Sequence, residues 1–142
     1  MDLDSIDECL RNDCHILGSM TSGILLLNRN ASLHWFILVP ESKLHDVLDL
    51  PLDQAQAVFT DCAVVSAFMK EELSYPKINF AGLGNLVPQM HLHIIGRHVG
   101  DVCWPDPIWG NIHHSSVYTT DKIQNLQEDL AQRVGLVPVA SF

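Results

Sequence analysis

Positive charge is scarce in this chain. Lys and Arg number 8 against 17 Asp and Glu in 142 residues, a net charge of −9 with histidine neutral. That balance argues against binding to nucleic acid or to an anionic membrane, since both rest on a basic footprint. It leaves room for a small anionic ligand held by backbone N–H groups and histidines. Long hydrophobic runs are missing as well. The longest, Ile24–Leu27 and Trp35–Val39, have the length of strands and cannot span a bilayer. The opening Met1-Asp2-Leu3-Asp4 is acidic where a secretory signal would be basic, so the chain is expected to start there and to be cytoplasmic. Cys9, Cys14, Cys62 and Cys103 contain no C-x-x-C pair and read as reduced thiols, some of them buried as small hydrophobes. With 8 Gly and 7 Pro the chain is neither fibrous nor low in complexity, and 47% hydrophobic residues are too many for disorder. The length suits one domain, residues 1–142, with a core that needs no staples.

The pattern along the chain predicts mixed elements. Leu3, Ile6 and Leu10 recur at helical spacing within Asp2–Asn12. Short apolar runs at Cys14–Leu17, Ser22–Asn28 and His34–Val39 read as strands, the last two joined by an Asn28–Ser32 turn into an antiparallel pair. From Asp53 to Leu73 a long helix is expected, with Val58, Phe59, Cys62, Val65, Phe68 and Met69 on its buried face and Asp61 off it. Asp53 followed by Gln56 resembles a capping box, and Pro76 ends the helix. Strands are predicted at Lys77–Ala81 and from Val87 or Gln89 to Arg97, and a last helix from about Thr120. Together these give an α+β domain, an antiparallel sheet with helices on one face.

One segment carries chemistry. In Gln89-Met90-His91-Leu92-His93-Ile94-Ile95-Gly96-Arg97, strand alternation points Gln89, His91, His93 and Arg97 to one side and Met90, Leu92 and Ile94 to the core. Successive residues of one face lie about 6–7 Å apart. Three readings are open. The histidines merely line a surface or cavity; or they bind a metal with His98, His113 or His114 as a third ligand, although no Cys or carboxylate is suitably spaced; or one attacks phosphorus as a neutral imidazole while neighbouring donors hold the phosphate.

The segment resembles the histidine triad (HIT) motif, His-φ-His-φ-His-φ-φ with φ hydrophobic. The resemblance extends over residues 10 to 110, since the Asn28 turn, the strand to Pro40, the long helix, the Gly84-Asn85 loop and Trp104-Pro105 follow in the family's order. Val87-Pro88-Gln89-Met90-His91-Leu92-His93 is most similar to bacterial HIT-like proteins with Gln in the first triad position. The resemblance implies an α+β fold that dimerises into one continuous sheet and hydrolase or transferase activity at the α-phosphate of a nucleotide. No metal or other cofactor is implied. It assigns His91 as nucleophile, His93 to the phosphate and leaving group, and Gln89 to the first position, where Gln cannot take a proton near neutral pH. Asn28 falls near where relatives bind ribose with Asp, or simply serves its hairpin turn. From the residues themselves, Gly84 and Asn85 either turn backbone N–H groups to a phosphate or make a tight turn between strands, and Arg97 either offsets phosphate charge or snorkels at the strand end. Trp104 and Trp109 either close the site or pin their segment onto the sheet. Leu86 stands where relatives often carry a hydroxyl, and the loop Ala81–Val87 is short; with Gln89 these departures favour the alternative of a nucleotide-binding module with little turnover. The apolar tail Val134–Phe142 is expected to reach a second protomer of a homodimer.

Overall fold

The computed structural model describes residues 1–140. A 3-10 turn at Leu3–Ser5 leads into α1 (Glu8–Asp13), and then come β1 (Cys14–Ser19), β2 (Gly23–Asn28) and β3 (Trp35–Pro40). A second 3-10 turn, Val47–Asp49, precedes α2 (Leu52–Glu71), followed by β4 (Lys77–Ala81), β5 (Leu92–Arg97), α3 (Thr120–Val134) and β6 (Val137–Pro138). The six strands form one antiparallel sheet in the order β4-β5-β3-β2-β1-β6. The α+β class is therefore as expected. No helix of the described residues is long and apolar enough to cross a membrane.

Two cores sandwich this sheet, and strand alternation decides which residue enters which. Leu25, Leu27, Phe36, Leu38, Leu92 and Ile94 face α2 and α3, whose Val58, Val65, Met69, Leu126 and Leu130 complete the larger core. The residues between them, Ile24, Leu26, Ile37 and Val39, face the other way, against Ile6, Leu10 and Cys14. The two long helices thus share one face, while short α1 packs on the opposite one. Further along that second face, Leu33 and Ile95 meet Cys103 and Ile108 from the loop after β5.

Several expectations change on the folded chain. The single N-terminal helix is broken because Asp2 and Asp7 each cap a separate turn, accepting from Asp4 N and Cys9 N. The long helix begins at Leu52 with Pro51 as its N-cap, so Asp53 lies inside the first turn and makes no cap. There its charge still suits the positive end of the helix dipole. Asp61 is buried, not exposed: its Oδ2 accepts from both the backbone and the hydroxyl of Ser22, tying α2 to the β1–β2 turn. Phe59 is half exposed and pairs with Phe80 of β4 at 5.8 Å between ring centroids.

The tail is partly taken up by its own chain. Leu136 is buried in the larger core, β6 pairs with β1 at Gly18 and Ser19, and Val139 N donates to Leu17 O. Gln127 of α3 secures the strand by donating to Leu17 O and Val139 O. Leu136 is thus covered by its own chain while Val137 stays exposed; Ser141 and Phe142 lie outside the described residues.

Candidate active site

The histidine strand is shorter than its alternation suggested. Ladder pairing begins at Leu92, opposite Leu38, and at His93, opposite Ile37 and Ala81, so residues 87–91 have no strand beside them. Pro88 lacks an N–H for a ladder, and the Gln89 side chain is drawn elsewhere. Alternation nevertheless survives: Met90, Leu92 and Ile94 enter the larger core, while His91 and His93 lie on the opposite side, both buried. Their ring centroids are 5.0 Å apart and the rings stand at 73°.

Hydrogen bonds fix the two rings in opposite tautomers. His91 Nδ1 lies 2.8 Å from the carbonyl oxygen of Gln89, which only accepts, so in the neutral ring Nδ1 carries the proton and Nε2 the lone pair. His93 Nδ1 receives the indole N–H of Trp35 at 3.0 Å, so it is the acceptor and the proton of the neutral ring sits on Nε2. That N–H faces Leu83 O at 3.4 Å, long enough to be exchanged for a better acceptor. Burial first, and the neighbouring His91 second, push the His93 pKa down to about 4, so it is neutral at pH 7. The cavity therefore holds one imidazole with a free base nitrogen and one with a fixed donor. Trp109 closes over His93 at 5.0 Å between centroids and meets Trp35 edge to face.

Two concavities meet at His91. One, of about 370 Å³, is lined by Leu10, Asp13, Cys14, Asn28, Asn85, His93 and Trp109 among others. The other, of about 770 Å³, runs past Gly84, Asn85 and Gln89 to His45, Phe59 and Phe80. Neither is lined by Lys or Arg among the described residues, so an anion there would rely on N–H donors. Gly84 is required by close approach: a Cβ at that position would stand 2.8 Å from Val87 O and 3.2 Å from His91 Cε1. Asn28 uses Oδ1 to accept from Asn30 N, as an Asx turn does, while its side chain borders the smaller cavity.

The chain thus brings His91, His93, Asn28, Gly84 and Asn85 together. Gln89 borders the larger cavity, but its amide binds the N-terminal segment. Arg97 and Trp104 are elsewhere, a correction to both assignments. Ile95 and its covering loop separate Arg97 from His93, and four residues of strand amount to about 13 Å. Arg97 is 1% exposed, donates to Asp101 through Nε and Nη2 at 2.8 and 3.1 Å, and donates to Asn79 Oδ1 at 2.9 Å. Its guanidinium carbon lies 5.6 Å from the centre of the Trp104 ring. Burial alone would raise the Asp101 pKa, but Arg97 and the backbone N–H groups of His98 and Cys103 hold it at about 2. The cluster anchors the loop that delivers Trp109 to His93. Sequence reasoning missed Trp35 and His45, and of the pair Trp104 and Trp109 it is Trp109 that reaches the site. Only the pairing of β3 with β5 places Trp35 beside His93, and nothing in the spacing of His45 marks it. No three His, Cys, Asp or Glu among the described residues converge as a metal site.

Fold and site define the class: an antiparallel α+β domain whose central cavity holds paired imidazoles in opposite tautomers. Comparison with known proteins makes this specific. Residues 10–100 match the HIT domain, and the chain belongs to that family. Among solved structures it is similar to a histidine triad protein from Bradyrhizobium japonicum, with 33% identity, TM-score 0.84 and coverage of 92% of this chain and 97% of that one. A histidine triad protein from Marinobacter aquaeolei VT8 is similar at 33% identity and TM-score 0.85, covering 92% and 96% of the two chains. A third, from Sinorhizobium meliloti 1021, has 27% identity and TM-score 0.84 over 91% and 96%. No curated protein matches significantly. The family's fold suggests nucleotide binding and activity at an α-phosphate, and HIT-domain proteins are often nucleotide hydrolases or transferases.

Proposed function

We propose that this protein is a hydrolase or transferase acting at the α-phosphate of nucleoside phosphate esters, phosphoramidates or dinucleoside polyphosphates. Gln89, His91 and His93 take the three triad positions, as in the bacterial branch with Gln-x-His-x-His. The observation that carries the reading is the pair of opposite tautomers in one cavity. Nε2 of His91 bonds to the α-phosphorus as the bond to the leaving group breaks, and that electron pair departs with the leaving group. Nε2–H of His93 donates to a phosphoryl oxygen and stabilises the charge that gathers there. In the second half a water oxygen, or an acceptor's, bonds to phosphorus. The P–N bond then breaks, its electrons return to His91, and the attacking group's proton passes to solvent. In this reading Asn28 and the 370 Å³ cavity take the nucleoside, and Gly84 and Asn85 take the phosphate; their bordering the cavities at His91 supports it.

A brief incubation with substrate followed by mass spectrometry tests this. A nucleotide-sized adduct on His91, absent in His91→Ala, is the expected result; full turnover by His91→Ala overturns it.

The protein is further read as a cytoplasmic homodimer. Four free thiols support a reducing compartment. Among the described residues the outer edge of β4 is unpaired, and the half-exposed Phe59 and Phe80 lie beside it, with the freely exposed Leu48 lining the same concavity. An open strand edge with apolar neighbours is a surface that a second copy can cover.

A further inference from the structure

Gln89 occupies the first triad position, where the HIT motif has His, and both ends of its amide are engaged. Oε1 accepts from Asp7 N at 2.7 Å, and Nε2 donates to Ser5 O at 3.0 Å. Its own carbonyl accepts from His91 Nδ1 at 2.8 Å. Each of these partners is specific. Asp7 is the N-cap of α1, its carboxylate accepting from Cys9 N, and Ser5 ends the preceding 3-10 turn. The amide of Gln89 therefore bridges the two N-terminal turns at their junction, 82 and 84 positions away in sequence. A few residues later the same segment supplies Leu10, Asp13 and Cys14 to the smaller cavity beside His91.

We propose that Gln89 is a positioning residue that locks the N-terminal segment onto the nucleophile, its side chain holding α1 as one wall of the nucleotide cavity while its carbonyl orients His91. This rests on the nucleotide reading above and deepens it. The residue carries no proton in the reaction. A donor and an acceptor are needed at one side-chain end to satisfy Ser5 O and Asp7 N together, and a neutral carboxamide supplies both at any working pH. A carboxylate cannot donate to Ser5 O. The carbonyl that orients His91 belongs to the backbone and persists in every variant, so disturbing the side chain moves the wall and leaves the nucleophile in place.

The experiment uses the full chain with Gln89→Met, which keeps length without hydrogen bonds, Gln89→Glu, which keeps only the acceptor for Asp7 N, and Gln89→His. Amide hydrogen exchange of residues 5–13 is read first, with no nucleotide present. Exchange is expected to quicken about tenfold in Gln89→Met and by less in Gln89→Glu, with thermal unfolding confirming that each variant is folded. Binding of AMP and turnover of diadenosine tetraphosphate follow. Gln89→Met should raise Kd and KM about tenfold, equivalent to about 1.4 kcal/mol. Its kcat at saturation should hold within about twofold, with an undiminished adduct on His91. Unchanged exchange and unchanged KM overturn the proposal. So does a fall in kcat at constant KM, which would put the amide in the chemical step, or a rise of tenfold or more in kcat for Gln89→His, which would make this position one where a proton carrier is wanted. A wild-type protein that neither binds AMP nor forms the adduct defeats the nucleotide reading, and the exchange data then decide the N-terminal lock by themselves.

Discussion

Trp35→Phe separates the tautomer argument from simple packing. The substitution keeps an aromatic ring between the sheet and the loop but removes the indole N–H that reaches His93 Nδ1 at 3.0 Å. That hydrogen bond exists only while Nδ1 has a lone pair, so it stabilises the neutral ring against the imidazolium. A neutral hydrogen bond is worth about 1 to 1.5 kcal/mol net. Its loss should therefore raise the His93 pKa, against the burial and the His91 charge that hold it low. Burial, the larger cause, remains. NMR titration of the His93 ring measures this directly. Stability supplies a second reading with a definite sign. The folded-state pKa lies below the unfolded one, near ~6.5, so the unfolded chain takes up the proton first and acid favours unfolding. His93 therefore contributes nothing pH-dependent above about pH 6.5. Stability falls as pH drops from there through 4, by about 3 kcal/mol in all for the wild type and by less in Trp35→Phe. His15 and His34 are pushed down by burial as well and add losses of the same sign, so the difference between variant and wild type is the diagnostic quantity. Denaturant unfolding at pH 7.5, 5.5 and 4.5 measures it. At pH 7.5 the variant should be weaker by about 1–3 kcal/mol, because His93 Nδ1 is left unpaired inside. A His93 titration unmoved by the substitution would refute the claim that the indole fixes its tautomer.

Other positions are equally open to measurement. Gly84→Ala sets a Cβ against Val87 O and the His91 ring, so turnover should fall at least tenfold with only a small change in melting temperature; an unimpaired variant would show that the ring does not need that space. Asp101→Asn leaves the Arg97 charge buried beside a neutral partner and should destabilise by about 3 kcal/mol in urea unfolding. Because the loop carrying Trp109 depends on that pair, activity should fall with it. Phe80→Asp places a charge beside β4 and Phe59, and gel filtration should shift from dimer to a 15.9 kDa monomer; a dimer unaffected by it would place the interface elsewhere.

Wherever a single period dominates, the chain itself declares the structure. Lys77–Ala81 is a strand with those bounds, α2 runs within a residue or two of its apolar repeat, and His91 and His93 share a side because Met90, Leu92 and Ile94 take the core. These features depend on neighbours in sequence and on which face can be buried. The family resemblance over residues 10–110, matched by the HIT domain over 10–100, belongs to the same level, since a motif is local. Arg97 keeps the parity of the histidines yet points its charge at Asp101, because a buried guanidinium must find a carboxylate, and a turn brought one within 2.8 Å. Trp35 and His93 become partners only when β3 and β5 pair, and Gln89 meets Ser5 and Asp7 only when α1 folds back across the sheet. Sequence order carries no record of which distant donor will satisfy which acceptor. Residues 1–140 decided that by closing into a single sheet, where every buried polar atom has to be paired at once.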